Sequence, residues 1–411
     1  VTTSLRVCAA QINPVVGDIA GNRALIKGAV ARAAKNGAQV VVLPEMVVTG
    51  YPVEDLALRP AFRQASIDAV NQLANELAGA GYGSMLICVG YLDEATRPLN
   101  ALALVHGGKI VAKYVKRHLP NYGVFDEFRN FTPGEGNLVV RFGGVDIAIA
   151  ICEDIWRDEG PMSELAGRKP GLLLVPNGSP YERSKDDQRL ELVRKRAAQI
   201  GAPVVYANMV GGQDDLVFDG DSMVVAATGE LLARAPQFQD ADLIVDIPAR
   251  TKSATPDLVI SESEPLLTGS ATGMIANPLS EEAEIWEALV LGLRDYIAKN
   301  GFQSVALGLS GGIDSAVVAT IAADALGSDR VFGVSLPSRY SSPHSKSDAA
   351  QLAENLGISF RTIEIEPVVQ SYLAATKLTG VAEENVQARV RGSLLMGISN
   401  QEGHLILATG N

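Results

Sequence analysis

The sequence predicts a two-domain α/β protein, a layered domain with a mixed sheet followed by a doubly wound parallel sheet. Three observations predict it. Residues 4 to about 248 alternate short β-branched runs with longer helical patterns and a hairpin. Residues 250–278 turn small, polar and rich in breakers, which reads as a linker. From residue 279 strands and helices alternate, and the first strand-to-helix junction is a glycine-rich loop. A length of 411 residues suits two or three domains.

The elements follow in order. Strand-like runs are Arg6–Ala10, Val40–Leu43, Met85–Gly90, Asn100–His106, Lys109–Tyr114, Val145–Ile151, Leu172–Pro176, Val204–Asn208, Ser222–Ala226 and Leu243–Ile247. Helical patterns cover Gly21–Lys35, Pro60–Ala78 and Asp186–Ile200. In the first of these, Ala24, Leu25, Gly28, Ala29, Arg32 and Ala33 share a face that suits packing on a sheet. His106-Gly-Gly-Lys109 reads as a hairpin turn. Beyond the linker, Ser280-Glu-Glu-Ala caps a helix that runs to about Lys299. Then come a strand, the glycine-rich loop, a helix, a strand over Arg330–Leu336, a helix over Ser345–Leu356 and a strand over Phe360–Ile365. The chain closes on His404-Leu-Ile-Leu-Ala-Thr-Gly-Asn411, an apolar strand running into a glycine turn with nothing to cover it. The expectation is that a C-terminal part of this domain lies beyond it.

Composition narrows the function. With 47% hydrophobic residues the chain has ample material for buried cores, and a net charge of −12 argues against a nucleic-acid backbone or an anionic membrane as partner. Cys8, Cys88 and Cys152 are too widely spaced for a disulfide framework or a Cys-x-x-Cys metal site. No signal-peptide layout or membrane-length apolar run is present, so a reduced, cytoplasmic setting is expected.

The glycine-rich loop is Leu307-Gly-Leu-Ser-Gly-Gly-Ile-Asp-Ser315. Adjacent glycines turn successive N–H groups into one concavity at a helix N-terminus, which favours an anion. Ser310 and Ser315 add hydroxyl donors, and Asp314 suits a magnesium ion held against phosphates. The bland reading is a capped strand-to-helix turn. The full Ser-Gly-Gly-Ile-Asp-Ser string resembles the pyrophosphate loop of the ATP pyrophosphatases, which cleave ATP between the α and β phosphates and adenylate a substrate. GMP, argininosuccinate and asparagine synthetases and tRNA-thiolating enzymes share that loop, so it does not choose the substrate.

Three strand ends stand out in the first domain: Glu45 in Leu43-Pro-Glu-Met46, Lys116 in Tyr114-Val-Lys-Arg-His, and Cys152 in Ala148-Ile-Ala-Ile-Cys-Glu-Asp154. Singly these read as a turn residue, a solvated end and a small core residue. Together, in this order, they resemble the Glu-Lys-Cys set of the nitrilase (carbon–nitrogen hydrolase) family, which implies an α-β-β-α layered domain. The resemblance makes Cys152 the nucleophile, Glu45 the proton carrier and Lys116 the oxyanion partner, with Glu127 as a second glutamate.

Pro120-Asn-Tyr-Gly-Val-Phe-Asp-Glu127 and Pro176-Asn-Gly-Ser-Pro180 are similar to the glutamine-amidase branch fused to NAD synthetases. Leu336-Pro-Ser-Arg-Tyr-Ser-Ser342, Glu383-Glu-Asn-Val-Gln-Ala-Arg-Val-Arg391 and Leu407-Ala-Thr-Gly-Asn411 resemble glutamine-dependent NAD synthetases, so that the resemblance covers the whole chain. It implies that Tyr51, Tyr122, Ser179 and Lys185 bind glutamine. It implies that Gly308, Leu309, Ser310, Gly311, Gly312, Ile313, Asp314, Ser315, Arg389 and Thr409 bind ATP, with Mg2+ on Asp314, and that Asn385 binds nicotinic acid adenine dinucleotide. No prosthetic group is implied. Domains at 1–249 and 279–411, and a homo-oligomer, are expected.

Overall fold

The computed structural model describes residues 2–263, 267 and 269–409. The chain divides into two compact units, Val1–Ile285 and Trp286–Asn411.

The first unit is a four-layer sandwich. One sheet runs in the order Ala241–Arg250, Thr2–Gln11, Val40–Val42, Leu86–Glu94, Pro98–His106, Lys109–Val115. The other runs Leu231–Arg234, Met223–Val225, Val204–Asn208, Leu172–Asn177, Val145–Ile149, Leu138–Phe142, Leu258–Val259. Side chains alternate across each strand. Leu5, Val7 and Ala9 therefore enter the core between the sheets, while Cys8 and Ala10 meet helices Ile19–Lys35 and Pro60–Leu77 outside. Helices Pro161–Arg168 and Lys185–Ile200 cover the far side through Met162, Leu165, Val193 and Ala197. The hairpin turn pairs His106 with Lys109 as expected.

One helix face differs from expectation. The buried positions of Ile19–Lys35 are Asn22, Ile26, Ala29, Val30 and Ala33, while Ala24 and Arg32 are exposed. The two branched side chains, Ile26 and Val30, bury more apolar area than the small residues of the expected stripe, and they set the rotation. Asn22 is carried inward and satisfied by the Val15 amide and the Val15 and Val48 carbonyls. Leu138–Phe142, Leu216–Asp219 and Leu231–Arg234 are strands that local pattern did not reveal. In the stretch read as a linker, Leu258–Val259 pairs with Leu138–Phe142 and Ile275 bridges to Arg234. Thr268, in that stretch, lies outside the described residues.

The second unit holds a parallel sheet in the order Ser359–Thr362, Val331–Ser335, Val305–Gly308, Leu405–Leu407. The first strand in sequence, Val305–Gly308, has later strands on both sides. The glycine-rich loop leaves its carboxyl end at this switch point, the usual ligand crevice of an open α/β sheet. Helix Ile313–Leu326 follows the loop. Gly410 and Asn411 lie outside the described residues. No helix among the described residues is long and apolar enough to cross a membrane.

Candidate active sites

In the first unit, strand ends from both sheets converge. The loop after Val40–Val42 carries Glu45, whose amide bonds to the Asn177 carbonyl at the end of Leu172–Asn177 in the opposite sheet. Lys116 follows strand Lys109–Val115 and is fully buried. Its Nζ lies 2.7 Å from Glu45 Oε1 and 2.8 Å from Glu127 Oε2. The Asn100 amide donates to the same Glu45 oxygen at 2.7 Å, and the Gly178 N–H donates to Glu45 Oε2 at 2.9 Å. The Tyr51 hydroxyl donates to Glu127 Oε1 at 2.8 Å. Glu45 and Glu127 are thus oriented from several sides around one ammonium group.

Cys152 opens a short 3-10 turn, Cys152–Ile155, with φ of 43°. A non-glycine residue in the left-handed region is uncommon, and such residues cluster at functional sites. The thiol is buried, and burial pushes its pKa well above the ordinary value. The Glu45 carboxylate pushes the same way and Lys116 opposes it. A thiol so held is a weak nucleophile until a base takes its proton. Burial disfavours the charged Lys116, but Glu127 and Glu45 outweigh it and raise its pKa. Lys116 is therefore a fixed positive charge rather than a proton donor.

Glycines make the convergence possible. A Cβ on Gly90 would lie 2.4 Å from both the Met46 amide nitrogen and the Pro44 carbonyl oxygen, so only glycine lets strand Leu86–Glu94 pass the Glu45 loop. Neither Gly90 nor Asn100 was expected to matter from sequence.

The remaining residues expected near this site are placed unequally. Tyr51 belongs to the Glu127 network. The Tyr122 hydroxyl donates to Glu153, the residue after Cys152, at 2.7 Å. Ser179 follows the Gly178 that holds Glu45, and buried Arg189 donates to its carbonyl at 3.0 Å. Lys185 pairs with Glu182 at 2.9 Å.

In the second unit, Leu309 bonds back to Val334, and Gly311, with φ of 80°, presses so close to Ser345 that a Cβ would meet its carbonyl at 2.3 Å. Ser310 Oγ accepts the Gly312 N–H at 3.1 Å, and Ser315 Oγ donates to the Gly312 carbonyl at 3.0 Å. Gly312, Ile313 and Asp314 are exposed. A cavity of about 540 Å³ opens beside the loop, lined by Gly308, Leu309 and Ser310 and by Lys346, Arg391 and Thr409 among others. Arg389 and Asn385 are exposed on helix Val381–Glu402 and do not line it. Arg391 does, anchored by its Nε to the Leu336 carbonyl at 3.0 Å.

Both halves have counterparts among known proteins. Residues 6–256 match the carbon-nitrogen hydrolase family, and residues 285–411 match the NAD synthase family. A glutamine-dependent NAD(+) synthetase of Thermotoga maritima is 40% identical over 99% of this chain and 74% of its own length. One of Rhodobacter capsulatus is 42% identical over 100% of this chain and 72% of its own. The chain belongs to the glutamine-dependent NAD(+) synthetase family. Among solved structures, the family member of Acinetobacter baumannii, in complex with adenosine diphosphate, superposes with a TM-score of 0.88 at 36% identity, covering 100% of this chain and 75% of its own. A Nesterenkonia amidase of the nitrilase superfamily covers 59% of this chain and 90% of its own, with a TM-score of 0.53 and 26% identity. The α-β-β-α layers and the parallel sheet are thus those of the synthetase family's two halves.

Proposed function

We propose that this chain amidates nicotinic acid adenine dinucleotide to NAD, using ATP and the ammonia that its first unit releases from glutamine. The observation that carries the reading is the buried Glu45–Lys116–Glu127 cluster facing Cys152, on a chain that also carries the pyrophosphate loop. We assign residues 1–249 to the amidase, 250–278 to a linker and 279–411 to the synthetase.

At the amidase site Cys152 Sγ attacks the side-chain amide carbon of glutamine as its proton passes to Glu45. Lys116 balances the charge that grows on the carbonyl oxygen. Glu45 returns the proton to the departing nitrogen, ammonia leaves, and a thioester remains on Cys152. Water activated by Glu45 then releases glutamate. Tyr51, Tyr122, Ser179 and Lys185 are assigned to glutamine binding, and Glu127 holds Lys116 in place.

At the second site Gly308–Ser315 receive ATP, with Thr409 on the same cavity wall. The nicotinate carboxylate attacks the α phosphorus and pyrophosphate leaves. Ammonia then displaces AMP and forms the amide. Arg389 and Asn385 are assigned, by the same resemblance, to ATP and to the dinucleotide. Among the described residues no group of three His, Cys, Asp or Glu forms a metal cluster. Exposed Asp314 suits an ion that takes its other ligands from phosphates and water, as Mg2+ does. When bound there, Mg2+ would offset phosphate charge.

The test is NAD formation by the full encoded protein from the dinucleotide and MgATP, with glutamine or with ammonia. Wild type is expected to use both nitrogen sources, and Cys152→Ala only ammonia. No NAD from either source overturns the reading.

A further inference from the structure

Asp154 has no assigned role, yet it makes four hydrogen bonds in the amidase site. It is fully buried, two residues after the nucleophile. Its Oδ2 accepts the Ile151 N–H at 3.0 Å and the Tyr114 hydroxyl at 2.8 Å. Its Oδ1 accepts the Arg117 N–H at 3.1 Å and the His118 N–H at 2.8 Å. Ile151 immediately precedes Cys152, while Tyr114, Arg117 and His118 flank Lys116 on both sides. One carboxylate therefore joins the backbone before the nucleophile to the backbone around the oxyanion partner. These segments belong to opposite sheets, since Lys109–Val115 and Val145–Ile149 lie in different ones.

We infer that Asp154 is a positioning residue, fixing the distance and angle between Cys152 Sγ and Lys116 Nζ for glutamine hydrolysis. The left-handed φ of Cys152 needs such a restraint, because that conformation persists only where surrounding bonds over-determine it. A serine or alanine at 154 would leave buried N–H groups unpaired. The aspartate also matches its partners chemically, since three of the four are backbone N–H donors that an ionised carboxylate accepts in pairs.

The inference rests on the amidase reading of Cys152, and the experiment separates the two. Asp154→Asn keeps one carbonyl oxygen for Arg117 and His118 but turns an amide NH2 toward the Ile151 N–H, which cannot accept. Glutaminase activity of the full encoded protein is measured per titrated Cys152 thiol, with ammonia-dependent NAD formation as the control for the second unit. The expected result is a loss of about 100-fold in kcat, the scale of a 1 Å misplacement, with KM for glutamine within about threefold and the ammonia-dependent rate unchanged. A purely structural role would lower thermal stability while leaving kcat per titrated thiol at the wild-type value, and that result overturns the inference. So does a change confined to KM. If Asp154→Asn yields no soluble protein, Tyr114→Phe, which removes one of the four bonds, decides by the same kcat-against-KM split. Wild type without glutaminase activity would instead defeat the amidase reading itself.

Discussion

Lys116 is sealed between Glu45, Glu127 and Asn100, whereas Asp314 stands at the surface of a loop held mainly by bonds within itself. Under the proposed function, the difference follows from what each substrate brings. The amide of glutamine is neutral, so the protein must supply every charge that its hydrolysis needs, and must fix those charges beforehand in a dry site. ATP arrives with its own charge. The loop needs only donors turned into one concavity, and N–H groups and hydroxyls suffice. A preformed cluster and a ligand-completed loop should respond differently to mutation.

The largest contrast is expected at the charges themselves. Lys116→Ala leaves Glu45 and Glu127 buried without their cation, and should cost about 3–5 kcal/mol of stability as well as the glutaminase activity. Asp314→Asn changes an exposed side chain and should cost far less stability than Lys116→Ala while lowering ATP–pyrophosphate exchange. Urea denaturation of both variants checks this. Similar losses in the two would break the comparison.

Backbone approach gives the next contrast. Gly90→Ala drives a methyl into the Pro44 and Met46 backbone, which cannot step aside. The expected outcome is a loss of about 100-fold in glutaminase kcat, because the Glu45 loop is displaced. Gly397→Ala, on the exposed side of helix Val381–Glu402 and away from the cavity, would meet nothing within 4 Å. That variant should keep ATP–pyrophosphate exchange near the wild-type rate. Steady-state kinetics at each site would sharpen or refute the distinction.

The same contrast decides what was legible in the sequence. Glu45, Lys116 and Cys152 stand out as polar residues close behind apolar strands, which is a local feature. Singly, each reads as an ordinary strand end, and only their joint resemblance to the nitrilase set suggests roles; the structure brings Glu45 and Lys116 together. Asn100 does not stand out, because it sits within strand Pro98–His106 and its role depends on which strands lie beside it. Gly90 carries no local sign of the loop that crosses it. The face of Ile19–Lys35 was misread because small residues at helical spacing outnumber the two branched ones that govern packing. In helix Val381–Glu402 the buried set is Val386, Gln387, Val390 and Ile398, a pattern with a glutamine in it. Its rotation was not readable from hydrophobicity, and neither was the arginine that turns toward the cavity.

That arginine supports a smaller prediction. Arg391 is half-buried on the cavity wall, and burial alone lowers its pKa from the ordinary value. Among the described residues no carboxylate lines the same cavity. A charge-assisted hydrogen bond to a phosphate is worth about 1.5–3 kcal/mol, so Arg391→Ala should weaken ATP binding at least about tenfold. Arg389→Ala, on the exposed face, should weaken it less. Calorimetric titration with a non-hydrolysable ATP analogue ranks the two, and a larger effect at Arg389 would restore the role that resemblance gives it.

The smallest expected effect concerns pH, and it has opposite signs in the two units. Burial pushes Glu127 up to about 7 from an ordinary 4.5, with Lys116 pulling it down and Glu45 pushing it further up. Between about 4.5 and 7 the folded chain therefore holds a proton that the unfolded chain has released. The stability linked to Glu127 is fully present below the unfolded value and is lost as pH rises through about 7. In the second unit, hydrogen bonds from Gln370 and Arg361 hold Glu366 and Glu402 below the ordinary carboxylate value. Their contribution is present above that value and lost on acidification. The chain has two tryptophans, Trp156 in the first unit and Trp286 in the second, so single-tryptophan variants report each unit separately. Urea midpoints from Trp156 fluorescence in a Trp286→Phe background should fall between pH 5 and pH 8. Glu127→Gln removes the titrating group and should flatten that slope. Parallel slopes with and without Glu127→Gln would mean that Lys116 keeps the carboxylate ionised across the whole range, and that the amidase cluster carries two full negative charges around its one cation.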